Sequence, residues 1–408
     1  MKLRIEKRRV DAFSVCYVIF FIQLNVILHA FTFFSDALTS IIYLFMKFLL
    51  TGSIIWCALR NTRNLPHALA IPMLISALYY VTSLRLGSNF QYVSDALKEN
   101  LFLQCIPAYL CAYLVEDYSG FKVVLKKFSY ALLVGGIGII FFQIAFGSRA
   151  FQVNYLNLSY CLIVPFVYFL LANEKRRLYW FIIIADAILV SRFGGRSAIL
   201  CIAVAVIYKV VFVDKNRSLW IILIGICSFL LYFFYNSILK WIVTTSTSYG
   251  VIGGIQKYYT MGNIFLDSGR GSINEASKEI IRMNPFFGVG LGADRYYLGK
   301  LGFQYGWYPH NLFYELMIDF GVFIGVILFV YIFIQIIRIL FGNNRCGEVN
   351  MLLKICIFTG GFLILLFSNS YLRSPMFFAM IAIIIKNRAK LKYAFRKNIS
   401  DGNAGNYI

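Results

Sequence analysis

The sequence predicts an all-α, polytopic integral membrane protein with about twelve transmembrane helices and one large loop outside the bilayer. Of the 408 residues 60% are hydrophobic, and the mean hydropathy of +0.73 leaves too little polar surface for a soluble chain of this length. Apolar runs of roughly 17 to 25 residues recur along the chain, and each can cross a hydrocarbon core about 30 Å thick. The runs are continuously apolar rather than alternating, so helices are predicted and a β-barrel is not.

Helix candidates follow one another from the N-terminus. We expect them at about 11–33, 36–59, 66–84, 100–116, 128–147, 154–172, 178–191, 197–213, 218–237, 311–341, 351–371 and 374–387. The first run is too long for the apolar part of a signal peptide and lacks a small-residue cleavage site. The chain is therefore divided into an N-terminal bundle of about nine helices (1–237), a large outer loop with a short helix (238–308), about three C-terminal helices (309–387) and a tail (388–408).

The net charge of +21 is explained by membrane topology rather than by nucleic-acid binding. Lysine and arginine are concentrated at the N-terminus, in alternate short loops and in the C-terminal tail, which is typical of cytoplasmic segments. These basic residues are Lys2, Arg4, Lys7, Arg8, Arg9, Arg60, Arg63, Lys122, Lys126, Lys127, Lys175, Arg176, Arg177, Lys215, Arg217, Arg345, Lys386, Arg388, Lys390, Lys392, Arg396 and Lys397. We therefore expect a multi-pass protein of the bacterial inner membrane with both termini in the cytoplasm.

Cysteine usage gives no sign of a disulfide framework or a metal site. None of the nine cysteines falls in the predicted large loop, and their spacing matches no metal-ligand motif. Two charged residues, Lys47 and Asp186, fall within predicted spans, where charges are costly and usually paired. We expect these two to pair with each other.

Several arginines lie in short loops on the predicted outer side, where the topology rule expects few. Arg192 and Arg196 flank Gly194 and Gly195 in a tight hairpin. Guanidinium groups bind phosphate through two parallel hydrogen bonds, and glycine lets the backbone approach an anion. The hairpin therefore predicts a pyrophosphate clamp. Binding to lipid headgroups is the alternative, and it is favoured for two further outer arginines, Arg149 and Arg373.

The large loop carries a second candidate anion site. Ser272 and Glu275 form a capping-box pattern and Pro285 ends the helix, so an amphipathic surface helix is predicted just after Arg270. Its N-terminus would add backbone donors beside that arginine. A helix that only packs the loop onto the membrane is the alternative. The glycines that follow, in Gly288-Val-Gly-Leu-Gly292, lack a βαβ context, so they predict a tight turn or an anion nest rather than a dinucleotide site.

A third signal is Pro309-His-Asn311 before the tenth predicted span. Proline suits the first helical position, so we expect His310 in the first turn, where the helix dipole and nearby arginines favour neutral imidazole. His310 is our candidate general base, with Asp294 and Glu315 in reserve, and an interfacial hydrogen-bonding role is the alternative. The loop aromatics Tyr258, Tyr296 and Trp307 are candidates for stacking on a ring of a bound ligand, or else they anchor the loop at the interface.

The order of these segments resembles the O-antigen polymerase and ligase superfamily, most closely its Wzy-type O-antigen polymerases. The motifs that carry this resemblance are Ser191-Arg-Phe-Gly-Gly-Arg-Ser197, Ser268-Gly-Arg-Gly271, Asn284-Pro-Phe-Phe-Gly-Val-Gly-Leu-Gly292 and Pro309-His-Asn311. The resemblance implies a membrane glycosyltransferase that joins undecaprenyl-diphosphate-linked oligosaccharide repeat units at the periplasmic face, without metal, cofactor or nucleotide sugar. It assigns Arg196 and Arg270, with Arg192 nearby, to the diphosphate and His310 to the acceptor hydroxyl.

Two other functions are compatible with the sequence. An O-antigen ligase would transfer the finished glycan to the lipid A core, and His310 matches the histidine of that branch of the superfamily. A flippase for lipid-linked oligosaccharides would instead show internal repeats and polar groups near the midplane of the membrane. The implied partners are the lipid-linked glycans and the bilayer, with a chain-length regulator protein as a further candidate.

Overall fold

The computed structural model describes residues 2–30, 36–146, 155–172, 177–193, 196–213, 270–342 and 347–388. Every regular element within these residues is helical, which confirms the predicted all-α class. The helix expected over 218–237 and the first part of the expected large loop, residues 238–269, lie outside the described residues.

The described helices agree closely with the apolar runs of the sequence. In chain order they are α1 (Lys2–Ala30), α2 (Asp36–Arg60), α3 (Leu65–Leu86), α4 (Gln91–Asn100), α5 (Ile106–Leu114), α6 (Phe121–Phe146), α7 (Tyr155–Leu171), α8 (Arg177–Phe193), α9 (Arg196–Tyr208), α10 (Arg270–Met283), α11 (Asp294–Lys300), α12 (Leu312–Phe341), α13 (Gly347–Phe358), α14 (Leu363–Phe367) and α15 (Pro375–Lys386). The surface helix predicted after Arg270 is α10, and its buried face includes Ile273, Ala276 and Ile280 as expected.

Six helical segments of the described chain are long and apolar enough to cross a membrane. They are Lys7–Leu28, Ser40–Arg60, Thr62–Leu114, Phe121–Phe142, Leu312–Phe341 and Gly347–Phe367. Shorter apolar helices occur at Leu156–Leu171, Tyr179–Ser191, Ser197–Val213 and Pro375–Lys386. The chain is thus an all-α membrane protein, while the count of about twelve spans stays a prediction.

The chain divides into two compact units. The first contains residues 1–21, 49–124 and 267–408, and the second contains residues 22–48 and 125–266. In the first unit α5 packs against α15, and both helices bury small side chains at close approach, including Ala108, Cys111, Ala379 and Ala382. In the second unit α7 packs against α8 and α9.

Lys47 and Asp186 both lie in this second unit, and the prediction that they pair with each other is wrong. Asp186 is fully buried on α8, and neither carboxylate oxygen has a hydrogen-bond partner in the structure. Lys47 lies on an exposed face of α2, with Nζ 4.4 Å from the ring centroid of Tyr43. The two charges therefore belong to helix faces with different surroundings, a property that spacing within an apolar run does not reveal.

A kink in α12 positions the segment 288–292 of the first unit, the glycine-rich loop. Gly321 has a φ of 82° and a ψ of 165°, which interrupts the helix. The loop satisfies carbonyls near the break, since Val289 N donates to Ile318 O (2.8 Å) and Gly290 N donates to Asp319 O (3.2 Å). In return, Val322 N donates to Pro285 O over 2.8 Å. The loop and the kink are therefore one interlocked element.

Candidate functional site

The histidine candidate lies just before α12 rather than in its first turn. Asn311 is the N-cap of this helix, and its side chain accepts hydrogen bonds from Phe313 N (2.9 Å) and Tyr314 N (3.4 Å). We expected the helix to begin at Pro309. Asparagine is one of the preferred N-cap residues, so the helix begins at Leu312 instead and His310 lies outside it. Within the described residues, His310 is the one non-glycine with a positive φ, 56°. Such a conformation is uncommon outside glycine and is often found at functional sites.

The imidazole of His310 is held in one tautomer. Its Nδ1 lies 2.8 Å from the carbonyl oxygen of Ser368. Because a carbonyl oxygen only accepts, Nδ1 must carry the proton and donate it, which leaves the lone pair of the neutral ring on Nε2. Burial lowers the pKa of His310 below its ordinary 6.5, and Arg270, Arg295 and Arg373 lower it further. The neutral base expected from the sequence is therefore favoured, although burial rather than a helix dipole is the leading cause.

Arg270 is bound to the same segment of chain as His310. As the first residue of α10, it donates from Nη1 to Phe367 O (2.5 Å) and from Nη2 to the hydroxyl of Ser368 (3.3 Å). Ser368 thus accepts from His310 at its carbonyl and from Arg270 at its side chain. The segment after α14 brings together two residues that are 40 positions apart in the sequence.

Two further arginines, Arg295 and Arg373, complete the cluster. The sequence singled out Arg373 as an outer arginine and favoured lipid headgroups as its partner, and it did not single out Arg295. The guanidinium carbons of Arg295 and Arg373 lie 5.5 Å and 5.6 Å from the ring centroid of Tyr308. The ring of Tyr308 is in turn 4.2 Å from that of His310. Arg373 also donates from Nη2 to Ala96 O at 3.1 Å, so α4 supports it. The Nε of Arg295 and that of Arg373 are buried with no hydrogen-bond partner in the structure.

Arg295 is fully buried in a network of carboxylates and hydroxyls. It contacts Asp294 with Nη1, Glu315 Oε1 with both terminal nitrogens (3.1 Å each) and Ser370 Oγ with Nη2 (2.5 Å). Burial by itself would lower the pKa of Arg295, but Asp294, Glu315 and Asp319 more than offset it and raise the pKa overall. The guanidinium is therefore charged at every relevant pH.

This network gives Asp294 and Glu315 a structural role, and their reserve assignment as general bases stays a prediction. Both side chains are fully buried, and both hydrogen-bond to Arg295. Glu315 also accepts from the hydroxyl of Ser370 (2.5 Å) and from Tyr371 N (3.2 Å). A carboxylate that already accepts from an internal cation and a hydroxyl stays bound to them, so these two residues hold Arg295 and the following loop.

One amide of the glycine-rich loop binds a carboxyl group of the protein itself. Gly292 N donates to Asp319 Oδ1 at 3.0 Å, and the hydroxyl of Tyr371 donates to Asp319 Oδ2 at 2.6 Å. Of the two alternatives left by the sequence, a tight turn or an anion nest, the structure combines features of both. The loop packs against the α12 kink while one of its amides binds an internal carboxylate.

The aromatic candidates differ in exposure. Tyr296 is only 7% exposed and stacks with Tyr92 and Tyr305, so its ring is not free to stack on a sugar. Trp307 is 42% exposed and Tyr305 is similarly open, with Tyr305 resting on Tyr92 at 4.0 Å between centroids. Of the predicted candidates that the structure describes, Trp307 therefore has the more accessible ring.

The hairpin candidates can be located only in part. Arg192 lies near the C-terminus of α8, and Arg196 is the first residue of α9. Their side chains, the intervening glycines and Tyr258 lie outside the described residues.

No protein-family model matches this chain, and a search of curated proteins finds no relative. The function must therefore be argued from the chemistry of the site.

Proposed function

We propose that this chain is a membrane glycosyltransferase of the O-antigen polymerase kind, joining undecaprenyl-diphosphate-linked oligosaccharide repeat units. The observation that carries the proposal is the convergence of three arginines, Arg270, Arg295 and Arg373, on one histidine that they help to keep neutral. Positive charge beside a neutral base is what glycosyl transfer from a diphosphate requires, because the leaving group gains charge while the acceptor loses a proton.

The reaction can be written with the residues present. The acceptor hydroxyl gives its proton to Nε2 of His310 as its oxygen bonds to the anomeric carbon of the growing glycan. The bond from that carbon to the diphosphate oxygen breaks, and polyprenyl diphosphate departs. Arg270 and Arg373 are partly exposed and supply positive charge near this leaving group, whereas the fully buried Arg295 contributes only through its charge. The charge is provided by the side chains, so the proposal needs no metal or cofactor.

The setting of the reaction is part of the same proposal. We assign the protein to the bacterial inner membrane, with about twelve spans and both termini in the cytoplasm. The large loop over 238–308 then lies on the periplasmic side. Contact between the C-terminal end of α3 and the glycine-rich loop supports a common side for the segment that follows α3 and the large loop, because Arg85 Nη1 donates to Gly288 O at 2.9 Å. Lipid tails would hold donor and acceptor at one depth, which restricts their encounter to two dimensions.

The second candidate is an O-antigen ligase, and the hydrogen-bonded, neutral His310 favours it because the resemblance assigns that residue to the ligase branch. Lipopolysaccharide gels of a deletion strain separate the two. A core that carries a single repeat indicates a lost polymerase. A bare core with accumulated long lipid-linked glycan indicates a lost ligase.

The decisive test is extension of a purified lipid-diphosphate repeat by the purified protein in liposomes, with and without a chelator. We expect a ladder of products that the chelator does not change, and none with His310→Asn. Absence of extension together with movement of the lipid-linked glycan across the bilayer would identify a flippase and would refute the proposal.

A further inference from the structure

Three large apolar side chains protrude after the surface helix α10. Met283, Phe286 and Phe287, the apolar tip, are 59%, 78% and 86% exposed. The helix ends at Met283, and the two phenylalanines directly follow Pro285. Burying three such side chains in an apolar medium is favourable. Exposure on this scale at a loop tip indicates a binding surface.

The tip is tied to one level of the α12 helix. The carbonyl of Pro285 accepts from Val322 N at 2.8 Å, and the backbone of Phe286 packs directly on Gly321, where a Cβ would overlap it. The level of the tip along α12 is therefore that of the kink.

The kink also marks where α12 turns its side chains outward. Before it, Leu312, Leu316, Met317 and Ile318 are buried, and Glu315 and Asp319 belong to the polar network. After it, large apolar side chains become exposed, beginning with Val322 and Phe323, the latter at 74%.

The straight part of α12 has the length of a hydrocarbon core. The stretch from Val322 to Phe341 contains twenty residues, which span about 30 Å at roughly 1.5 Å per residue. The full helix would be about half as long again, so its first third lies beyond the hydrocarbon. Gly321 is therefore at the boundary of the lipid, and so is the apolar tip.

From these four observations we propose that the apolar tip inserts into the adjoining bilayer leaflet and contacts lipid acyl chains. The tip lies at the level where the lipid-facing surface of α12 begins. The partner of the tip is therefore lipid rather than a second copy of the chain. Insertion would fix the depth of the glycine-rich loop, and hence of Arg295 and His310, at the membrane surface. This inference does not depend on the proposed reaction.

The test is photo-crosslinking in nanodiscs of phosphatidylethanolamine and phosphatidylglycerol. Benzoylphenylalanine replaces Phe287, with Phe323 as the lipid-facing reference and Trp307 as an exposed aromatic control in the first unit. We expect lipid adducts at 287 with a yield close to that at 323 and several times that at 307. A yield at 287 equal to that at 307, or crosslinks to a second protein chain in place of lipid, would overturn the proposal.

A second measurement tests insertion in case the benzoylphenylalanine variant does not fold. In Phe287→Trp, the added fluorescence over the five native tryptophans should be quenched by brominated acyl chains and not by aqueous iodide. Quenching by iodide alone would exclude insertion.

Discussion

His310 donates from Nδ1 to the carbonyl oxygen of Ser368 across 2.8 Å, and Arg270 donates to the hydroxyl of the same serine. The candidate base and a candidate anion-binding group therefore share one support. Movement of the segment after α14 would displace both groups together. The relationship also fixes which ring nitrogen faces substrate, because the proton on Nδ1 is committed to Ser368.

Replacing His310 by asparagine tests the base without disturbing the backbone. Asparagine accepts a positive φ better than most residues, and its amide N–H can donate to Ser368 O as Nδ1 does. It has no basic lone pair, so we expect extension to fall by about 10² to 10⁴-fold with unchanged thermal stability. Single-turnover rates with purified lipid-linked repeats give the measurement. Wild-type rates in a well-folded His310→Asn protein would remove His310 from the mechanism.

The rate should be insensitive to pH above neutrality and decline on acidification. The pKa of His310 is lowered from 6.5, so the neutral ring persists below that pH and the midpoint of the decline lies below 6.5. The same shift makes the folded state bind fewer protons than the unfolded state. Its contribution to the free energy of unfolding is therefore present above about pH 6.5 and lost as pH falls.

A neighbouring arginine provides the control for this pH profile. Arg373→Gln removes one of the charges that lower the pKa of His310, so the acid midpoint of the rate should move upward. A profile with the same midpoint in wild type and Arg373→Gln would show that another group titrates.

Arg270→Ala should abolish chain extension while the amount of protein in the membrane stays constant. Arg270 is only partly buried, and its partners, a carbonyl and a hydroxyl, are neutral, so its loss leaves no buried charge. Arg270→Lys should recover little, because an ammonium lacks the bidentate fork. The sequence predicts the same result for Arg196→Ala. Lipopolysaccharide ladders in complemented deletion strains report the outcome, and normal ladders in both alanine variants would rule out this diphosphate site.

Arg295→Met should be strongly destabilising, by about 3–5 kcal/mol, because it leaves Asp294 and Glu315 buried without their cation. Adding Glu315→Gln should restore part of the loss by removing one of these charges. Thermal unfolding in detergent measures the cycle. Equal unfolding temperatures for the single and the double variant would mean that the carboxylate does not depend on Arg295.

Gly288→Ala tests the docking of the glycine-rich loop on the α12 kink. Gly288 has a φ of 65°, and a Cβ there would overlap the backbone at Ile318 and Gly321. Gly302 is the matched control, since its φ is 91° but a Cβ would meet open space. Both variants carry backbone strain of about 1–2 kcal/mol, and Gly288→Ala should lose a further 1–3 kcal/mol, roughly, from overpacking. Identical unfolding temperatures for the two variants would contradict the interlock.

Much of the helical framework could be predicted because apolar length and local capping are properties of contiguous residues. The capping pattern at Ser272 and Glu275 correctly predicted α10, and the apolar runs predicted most helix positions. Asn311 was the local signal that should have moved the start of α12 past His310. Arg295 gave no comparable signal, and the outer position of Arg373 favoured headgroup binding, because an arginine near an interface has the same sequence appearance whether it binds headgroups or protein groups.

The sequence by itself determined that the chain is an all-α membrane protein, since the cost of exposing polar backbone in lipid leaves apolar runs of this length no other structure. It also identified Arg270 and His310 as candidates through their positions beside predicted helix ends. Only the tertiary structure decided that Glu315 binds Arg295, that Gly292 binds Asp319, and that Ser368 joins Arg270 to His310. The physical reason is that these hydrogen bonds connect residues far apart in the chain. Their formation depends on which helices pack together, not on any local pattern.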